Sequence, residues 1–422
     1  MEYAFSLTHP RMSIRFALCL TALLPAFSCS MGRATFDAIA EGYVRTSLKL
    51  AQHDPSLVED WRGPESWRPG PRVPVAQLLE EISELERQLA VARSDVSSGQ
   101  EYARGRYLSA QVNALRFAAQ RQLGRAASID DQAREEFAVT FPPLDQAAIS
   151  RAHDALSRLI PGDQALATRL NDLRKSTIVP TEHRGIVIGK SLDACRQATA
   201  AVIELPKDER VRGAFRGGME WDAFARYAGD RVTNLDINDD VMLDVSRAFR
   251  IACHEAYPGH HVQHMLIDRL FEQRRWPELQ LVPGFGPHLL LLEGAAEVGA
   301  DLALAPLQRE HFYRDQLFPA AGLKTDRVTT LIKVEGLLQE LLPVVTDVAR
   351  QYLDGSLTQE RAVERLTHDA LVANPQGTLA FIERRRARAL VYGEGRRVVY
   401  ELMTTRDLAG LDAAFRRAAA VQ

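Results

Sequence analysis

A chain of 422 residues that is 46% hydrophobic and 25% charged has the composition of a folded globular protein, which excludes a disordered or collagen-like one. Its formal net charge of −3 and isoelectric point near 6.4 give no electrostatic reason to expect nucleic acid as a partner. No low-complexity run, Gly/Ser-rich linker or fixed-period repeat divides the chain, so residues 30–422 read as one large domain.

The first element is an address. Arg11 and Arg15 precede FALCLTALLPAFSCS, an apolar run too short to span a bilayer comfortably and followed by small residues. Residues 1–29 therefore read as a secretory signal counted from Met12, and the mature protein is expected in the periplasm or cell envelope. Cys29 stands where a bacterial lipoprotein carries its lipidated cysteine, which would anchor the protein to a membrane. Ala26 occupies the position where such sites usually carry leucine, and plain cleavage nearby is the other reading. Cys195 and Cys253 remain in the mature chain, and sequence leaves open whether they pair or are simply buried.

Helix dominates the mature chain. VPVAQLLEEISELERQLAVARSDV repeats apolar residues at three- and four-residue spacing between charges, as do the stretches 101–123, 144–175, 188–203, 325–353 and 357–371. One segment differs. In ARYAGDRVTNLDIND, Gly229 precedes Val232, Leu235 and Ile237, which alternate with polar residues, so 230–238 reads as a short strand. DDVMLDVSRAFRIACHEAY then offers Asp239 or Asp240 as the cap of a helix that runs into His254. Strand, helix and a His-Glu pair is the order in which zinc peptidases set an edge strand beside their metal helix.

The helix ends in HEAYPGHHVQH, residues 254–264. In the common H-E-x-x-H pattern the second histidine lies four residues on, about 40° round the helix and one turn along it. Here residue 258 is proline. It has no N–H for the carbonyl of His254, and its ring pushes that turn open, so a bulge or break is forced. Gly259 tolerates backbone angles that other residues resist, and the Pro-Gly pair can loop out two residues. In an unbroken helix His260 would sit about 240° from His254 and about 9 Å along, and His261 about 10.5 Å along. Both are too far for nitrogens that must each lie about 2.0–2.1 Å from one zinc. A bulge favours His260 as the second ligand, with His261 as the fallback. Glu255 is then the general base that activates the water nucleophile.

A third ligand is needed, and a carboxylate is usual. LLLLEGAAEVGADLALA is an apolar helix that carries Glu293, Glu297 and Asp301 four residues apart, which puts three acids on one face of a segment otherwise fit only for burial. Buried acids need partners, and a cation is a good one.

HEAYPGHH.Q followed by EGAAEVGADLA resembles the bacterial family known as domain of unknown function 885, whose members carry H-E-x-x-P-G-H-x-x-Q and then E-G-W-A-x-Y-x-E. That family is similar to the helical zinc peptidases that include carboxypeptidase Taq, thimet oligopeptidase and the angiotensin-converting enzyme. The resemblance covers about residues 215–305. It implies a mostly α, zincin-like body with a central cleft and a small β element near the metal helix. It also implies one zinc per chain held by His254, His260 and Glu293, with Glu255 as base. Ala295 and Val298 stand where the family has tryptophan and tyrosine, and Ala300 where the motif ends in glutamate; these changes are expected to alter pocket lining and the surroundings of the ligands. Glu297 is read as a substitute for that missing acid or a competing ligand, and Asp301 as the acceptor that orients a ligand histidine.

FIERRRARALVYGEGRRVVYEL resembles, weakly, the closing segment of the same family. It offers Tyr392 as a donor to an oxyanion and Arg385, Arg388 or Arg396 as the holder of a substrate carboxylate. A solvated basic face with Tyr392 in the core is the alternative. His264 and His288 read as core or surface residues. The whole is expected to be an exported zinc peptidase for short peptides, an oligopeptidase or carboxypeptidase. The competing readings are a zinc amidase for cell-wall peptides and a catalytically silent envelope lipoprotein that keeps its metal for structure.

Overall fold

The computed structural model describes residues 35–418 apart from Asp95 and Glu220; the signal segment and Cys29 lie outside the described residues. The fold is mostly α, as expected. At the N-terminal end, α1 (Phe36–Ala51), capped by the Thr35 hydroxyl, packs with α2 (Val75–Arg93) and α3 (Gly99–Gln122). The heptad-like run of α2 buries Leu78, Ile82 and Leu89 against Ile39, Tyr43 and Val44 of α1. Between them lies β1 (Val58–Trp61), which pairs antiparallel with the distant β5 (Leu281–Pro283).

Prolines and glycines cut the longer helical runs. The 144–175 stretch becomes α5 (Gln146–Leu159) and α6 (Leu166–Lys175), preceded by α4 (Ile129–Phe137), because Pro161 cannot continue a helix and Gly162 takes φ +150°. The next helix, α7 (Arg184–Ala200), leads into the sheet.

The predicted strand is real but is not the edge. β4 (Val232–Asn238) runs between β2 (Arg210–Arg216), parallel to it, and β3 (Ala223–Tyr227), antiparallel to it. Its two faces are both covered, with Thr233 and Leu235 fully buried and Asp236 gripped by Arg216 and Arg226 from the flanking strands. The edge beside the helix that carries His254 is β3, a five-residue strand whose arginine blurs the alternation. Correspondingly, α8 (Val245–Glu255) is capped by Asp244, whose carboxylate accepts from the Arg247 N–H, rather than by Asp239 or Asp240.

After α8 come α9 (His260–Arg274) and α10 (Gly286–Leu302), then α11 (Pro306–Phe312) and α12 (Phe318–Ala320). The run 325–353 divides at Pro343 into α13 (Val328–Gln339) and α14 (Leu342–Leu353), followed by α15 (Gln359–His368) and α16 (Pro375–Arg385). The chain closes with α17 (Val391–Leu402) and α18 (Leu408–Ala418). α10 is the central helix. It crosses α17 at Gly294 and Gly395 so closely that a Cβ on Gly294 would stand 2.2 Å from the Gly395 carbonyl carbon. Among the described residues no helix is long and apolar enough to cross a membrane.

Candidate metal centre

The break between α8 and α9 is built by the residues that spoil the usual motif. α8 stops at Glu255, the Tyr257–Pro258 peptide is cis, and the Gly259 N–H donates to the Cys253 carbonyl at 3.1 Å. Gly259 has φ −72°, so it is not there for a left-handed conformation. It is there for contact: a Cβ at this position would lie 1.6 Å from the His254 carbonyl oxygen. A new helix starts at His260, and the His254 and His260 rings meet edge to face with centroids 4.9 Å apart. A Cβ on Gly299 would stand 2.7 Å from Pro258, so α10 rests directly on the junction.

α10 delivers the third group. Glu293 Oε2 lies 3.2 Å from His254 Nε2 and 3.5 Å from His260 Nε2, and one ligand atom from each of the three residues falls within 4.8 Å of the others. Although Glu293 Oε2 is buried, it receives no hydrogen bond: the ring N–H directions pass it by. Two imidazoles and a carboxylate whose lone pairs converge without bonding one another suit a divalent cation, and the N/N/O donor set suits zinc. Burial alone would raise the Glu293 carboxyl, but the two histidines hold it well below the usual carboxylate range, so it stays ionised.

The surrounding shell orients these ligands. His260 Nδ1 lies 3.1 Å from Gln263 Oε1, and Gln263 donates in turn to the Leu292 carbonyl of α10 at 3.0 Å. That gives the glutamine of H-E-x-x-P-G-H-x-x-Q a role the sequence did not disclose: it keeps the His260 proton on Nδ1 and leaves Nε2 free. His254 Nδ1 lies 3.1 Å from Glu297 Oε1, off the line of the ring N–H, so Glu297 acts on it through charge as much as through a hydrogen bond. Glu297 is therefore a partner of a ligand. Asp301, expected in that part, instead binds Arg250, Arg396 and Tyr400, at 2.8, 2.6 and 3.2 Å. Arg250, one turn before His254, holds Glu297 as well as Asp301.

Glu255 faces the edge strand, where the Ala225 N–H donates to its carboxylate. Burial raises its pKa and Glu293 adds to the rise, while His254 and His260 oppose it; the net shift is upward. Tyr392 from α17 lies beside the centre, its ring 6.3 Å from that of His254. The Glu293 charge and then burial push its pKa well up, so it remains a protonated donor.

Other candidates are bound elsewhere. His261 is fully buried, with one ring nitrogen 2.8 Å from the Thr233 hydroxyl and the other 3.1 Å from Glu209, so it fastens α9 to the sheet and cannot replace His260. Arg388 donates to the Ser56 carbonyl at 2.7 Å and to Glu59, and Arg396 to Asp301. The Arg385 guanidinium stacks on Trp221, 4.9 Å from the ring centroid. His264 and His288 lie in the interior, and burial pushes both pKa values down, that of His288 to about 4. Ala295, Val298 and Ala300 are buried in apolar clusters, so the departures from the family pattern alter the core rather than the lining of the site. Cys195 of α7 and Cys253 of α8 form a disulfide that pins the helix at the residue before His254. Closing 58 residues is worth about 4 kcal/mol by loop entropy. Glu59, which nothing in the sequence pattern marked, accepts from Arg388, and burial raises its pKa.

No family model matches this chain, and no curated protein matches it. Among solved structures, the "putative lipoprotein" from Colwellia psychrerythraea aligns with a TM-score of 0.51 at 15% identity, over 92% of this chain and 73% of that one. A "putative lipoprotein of unknown function" from Shewanella oneidensis aligns at 0.46 and 14%, over 92% and 87%. At such identities the first likeness shows a shared fold and nothing about activity.

Proposed function

We propose that this protein is an exported zinc metallopeptidase acting on short peptides, with one zinc held by His254, His260 and Glu293. The observation that carries the reading is the convergence of these three donors, none hydrogen-bonded to another, beside the half-buried Glu255. A purely structural site has no use for a base next to its ligand. Zinc bound there supplies Lewis-acid polarisation of the scissile carbonyl and lowers the pKa of water.

The chain's own groups do the rest. In the β3–β4 ladder Asp222 and Ala228 bond to β4, so by alternation Ala223, Ala225 and Tyr227 turn their backbone groups outward. Glu255 already takes the Ala225 N–H, so a peptide can pair with this edge at Ala223 and Tyr227, which presents its carbonyl to the centre. Glu255 takes the proton of the attacking water and returns it to the leaving amine, and the Tyr392 hydroxyl donates to the oxyanion. The signal-like segment, Cys29 and the lipoprotein name carried by the Colwellia protein support export and lipid anchoring.

The test is metal analysis coupled to peptide hydrolysis for wild type and Glu255→Gln from matched preparations. Glutamine keeps the size and cannot accept the proton, so zinc content should persist while turnover falls about 10²–10⁴-fold. Protein that binds no zinc, or Glu255→Gln with near-normal turnover, overturns the reading. Tight zinc with no hydrolysis of any short peptide would favour a structural metal.

A further inference from the structure

The sheet has two unlike faces. The side chains of Ala223, Ala225 and Tyr227 on β3 turn to the core with Thr233, Leu235 and Ile237 of β4, so by alternation Phe224 and Arg226 turn to the solvent face. The register carries Arg210, Arg212 and Arg216 of β2 to that same face. Asp236 is the single acid of the strands, and Arg216 and Arg226 share it, the latter through Nη2 at 2.9 Å. Among the described residues Arg210 and Arg212 have no ion pair. A chain whose net charge is −3 thus keeps one strongly positive sheet face. The Arg226 side chain is 56% exposed, and its Nε and Nη1 make no hydrogen bond among the described residues, so it can take a second acceptor. β3 is also the strand that borders the candidate centre: α8 and α9 both pack on it, the Tyr227 ring stacks on His264 with centroids 5.6 Å apart, and the His264 ring lies 6.4 Å from that of His260.

We propose that Arg226 sets substrate specificity, favouring short peptides that carry an aspartate or glutamate at the one position paired with it. The proposal rests on the zinc-peptidase reading, with the peptide laid antiparallel along the β3 edge. Ala223 and Tyr227 are the hydrogen-bonding positions of that edge, so Arg226 falls at a non-hydrogen-bonded pair, where opposed side chains share a face with Cβ atoms about 4.5–5.5 Å apart. Opposite charges at such a pair attract and like charges repel. The peptide residue opposite Ala225 turns to the core side, towards Glu255, so the acid stands one residue from it and close to the bond to be cleaved. Two places from the acid the peptide meets Phe224, which packs with Trp221 at 6.3 Å between ring centroids and carries no charge. The selection is therefore for charge at a single position. Asp236 does not cancel it, because that one buried carboxylate already answers to Arg216 as well.

Zinc-loaded protein should be given matched short peptides in which glutamate, glutamine or lysine is moved through each position in turn. Binding of the same peptides to the Glu255→Gln form by calorimetry gives a readout independent of turnover. An exposed ion pair is worth about 1.5- to 5-fold, so at one position glutamate should exceed glutamine by that factor in kcat/KM and affinity, and lysine should fall below it by a similar one. High salt should shrink the difference. Arg226→Gln should level the three peptides at that position, and Arg226→Glu should invert their order, with zinc content unchanged in both. If Arg226→Glu does not fold, Arg226→Gln decides alone. Arg210→Gln, on the far edge of the sheet, should keep the preference. No preference for the acid at any position, the same preference at every position, a preference that survives Arg226→Gln, or its equal loss in Arg210→Gln overturns the proposal. Failure of the zinc-peptidase reading looks different: peptides are not cut in any form, or the protein holds no zinc.

Discussion

The junction 254–263 is dense in imidazoles and the segment 385–396 in guanidinium groups, yet only the first gathers its residues to one point. At the junction the side chains are short and the backbone carries the geometry: the Gly259 contact with His254, the restart of α9 and the bond from Gln263 to α10 leave each ring little choice. In the second segment Arg385, Arg388 and Arg396 each reach a different partner: a tryptophan face, the Glu59 carboxylate with the Ser56 carbonyl, and the α10 aspartate. A long flexible side chain goes where its counter-charge lies, and that is decided by other parts of the chain. The grouping of His254, His260 and Glu293 was therefore readable where the backbone fixes it.

The sharpest way to break this comparison is to separate two adjacent histidines. His260→Ala should abolish stoichiometric zinc binding. His261→Ala should retain zinc but lower stability by about 1–3 kcal/mol, since it removes the ring partner of the buried Thr233 hydroxyl and one of the three partners of Glu209. Metal analysis and thermal unfolding of the pair check it, and the reverse pattern would mean that the junction is folded otherwise. A smaller effect is expected one shell out. Glu297→Gln should weaken zinc affinity about 10- to 100-fold without removing a ligand, as measured by competition with a chelator. Asp301→Asn, on the same helix face, should leave affinity nearly unchanged; equal losses would show that the network acts only by packing.

The smallest is a pH effect. Burial would raise the Glu209 carboxyl, but the bonds from His261, Tyr257 and Arg196 bring it from 4.5 down to about 2. A depressed folded-state value stabilises above the unfolded one, so this contribution is complete above pH of about 4.5 and fades as pH falls towards 2. The melting temperatures of wild type and Glu209→Gln should differ at pH 6 and converge through that window. Parallel curves would remove Glu209 from the account.

Much of the site was legible. The His-Glu pair, the forced break at Pro258 and the acid-bearing helix led to His254, Glu255, His260 and Glu293, because helix geometry and proline chemistry act locally. The choice between Glu297 and Asp301 was not, since both lie on one face and only the packing of α8 on α10 decides which meets His254. The pairing of Glu59 with Arg388 was out of reach for a stronger reason: the place of Glu59 depends on a bulge in a pairing between strands more than two hundred residues apart. The strand at 232–238 could be read, but its central position could not, because its neighbours RVRGAFR and AFARY interrupt their alternation with arginine or glycine.

The crossing of α10 and α17 has a consequence for how this site tolerates change. Gly294 follows the carboxylate ligand, Gly395 comes three residues after Tyr392, and a methyl group at either would collide with the other's backbone. The two glycines act as a gauge of zero thickness between the helix that presents Glu293 and the helix that presents the phenol. Any side chain inserted there would move both groups apart together, so one added carbon far from the reacting atoms would detune the site as a whole.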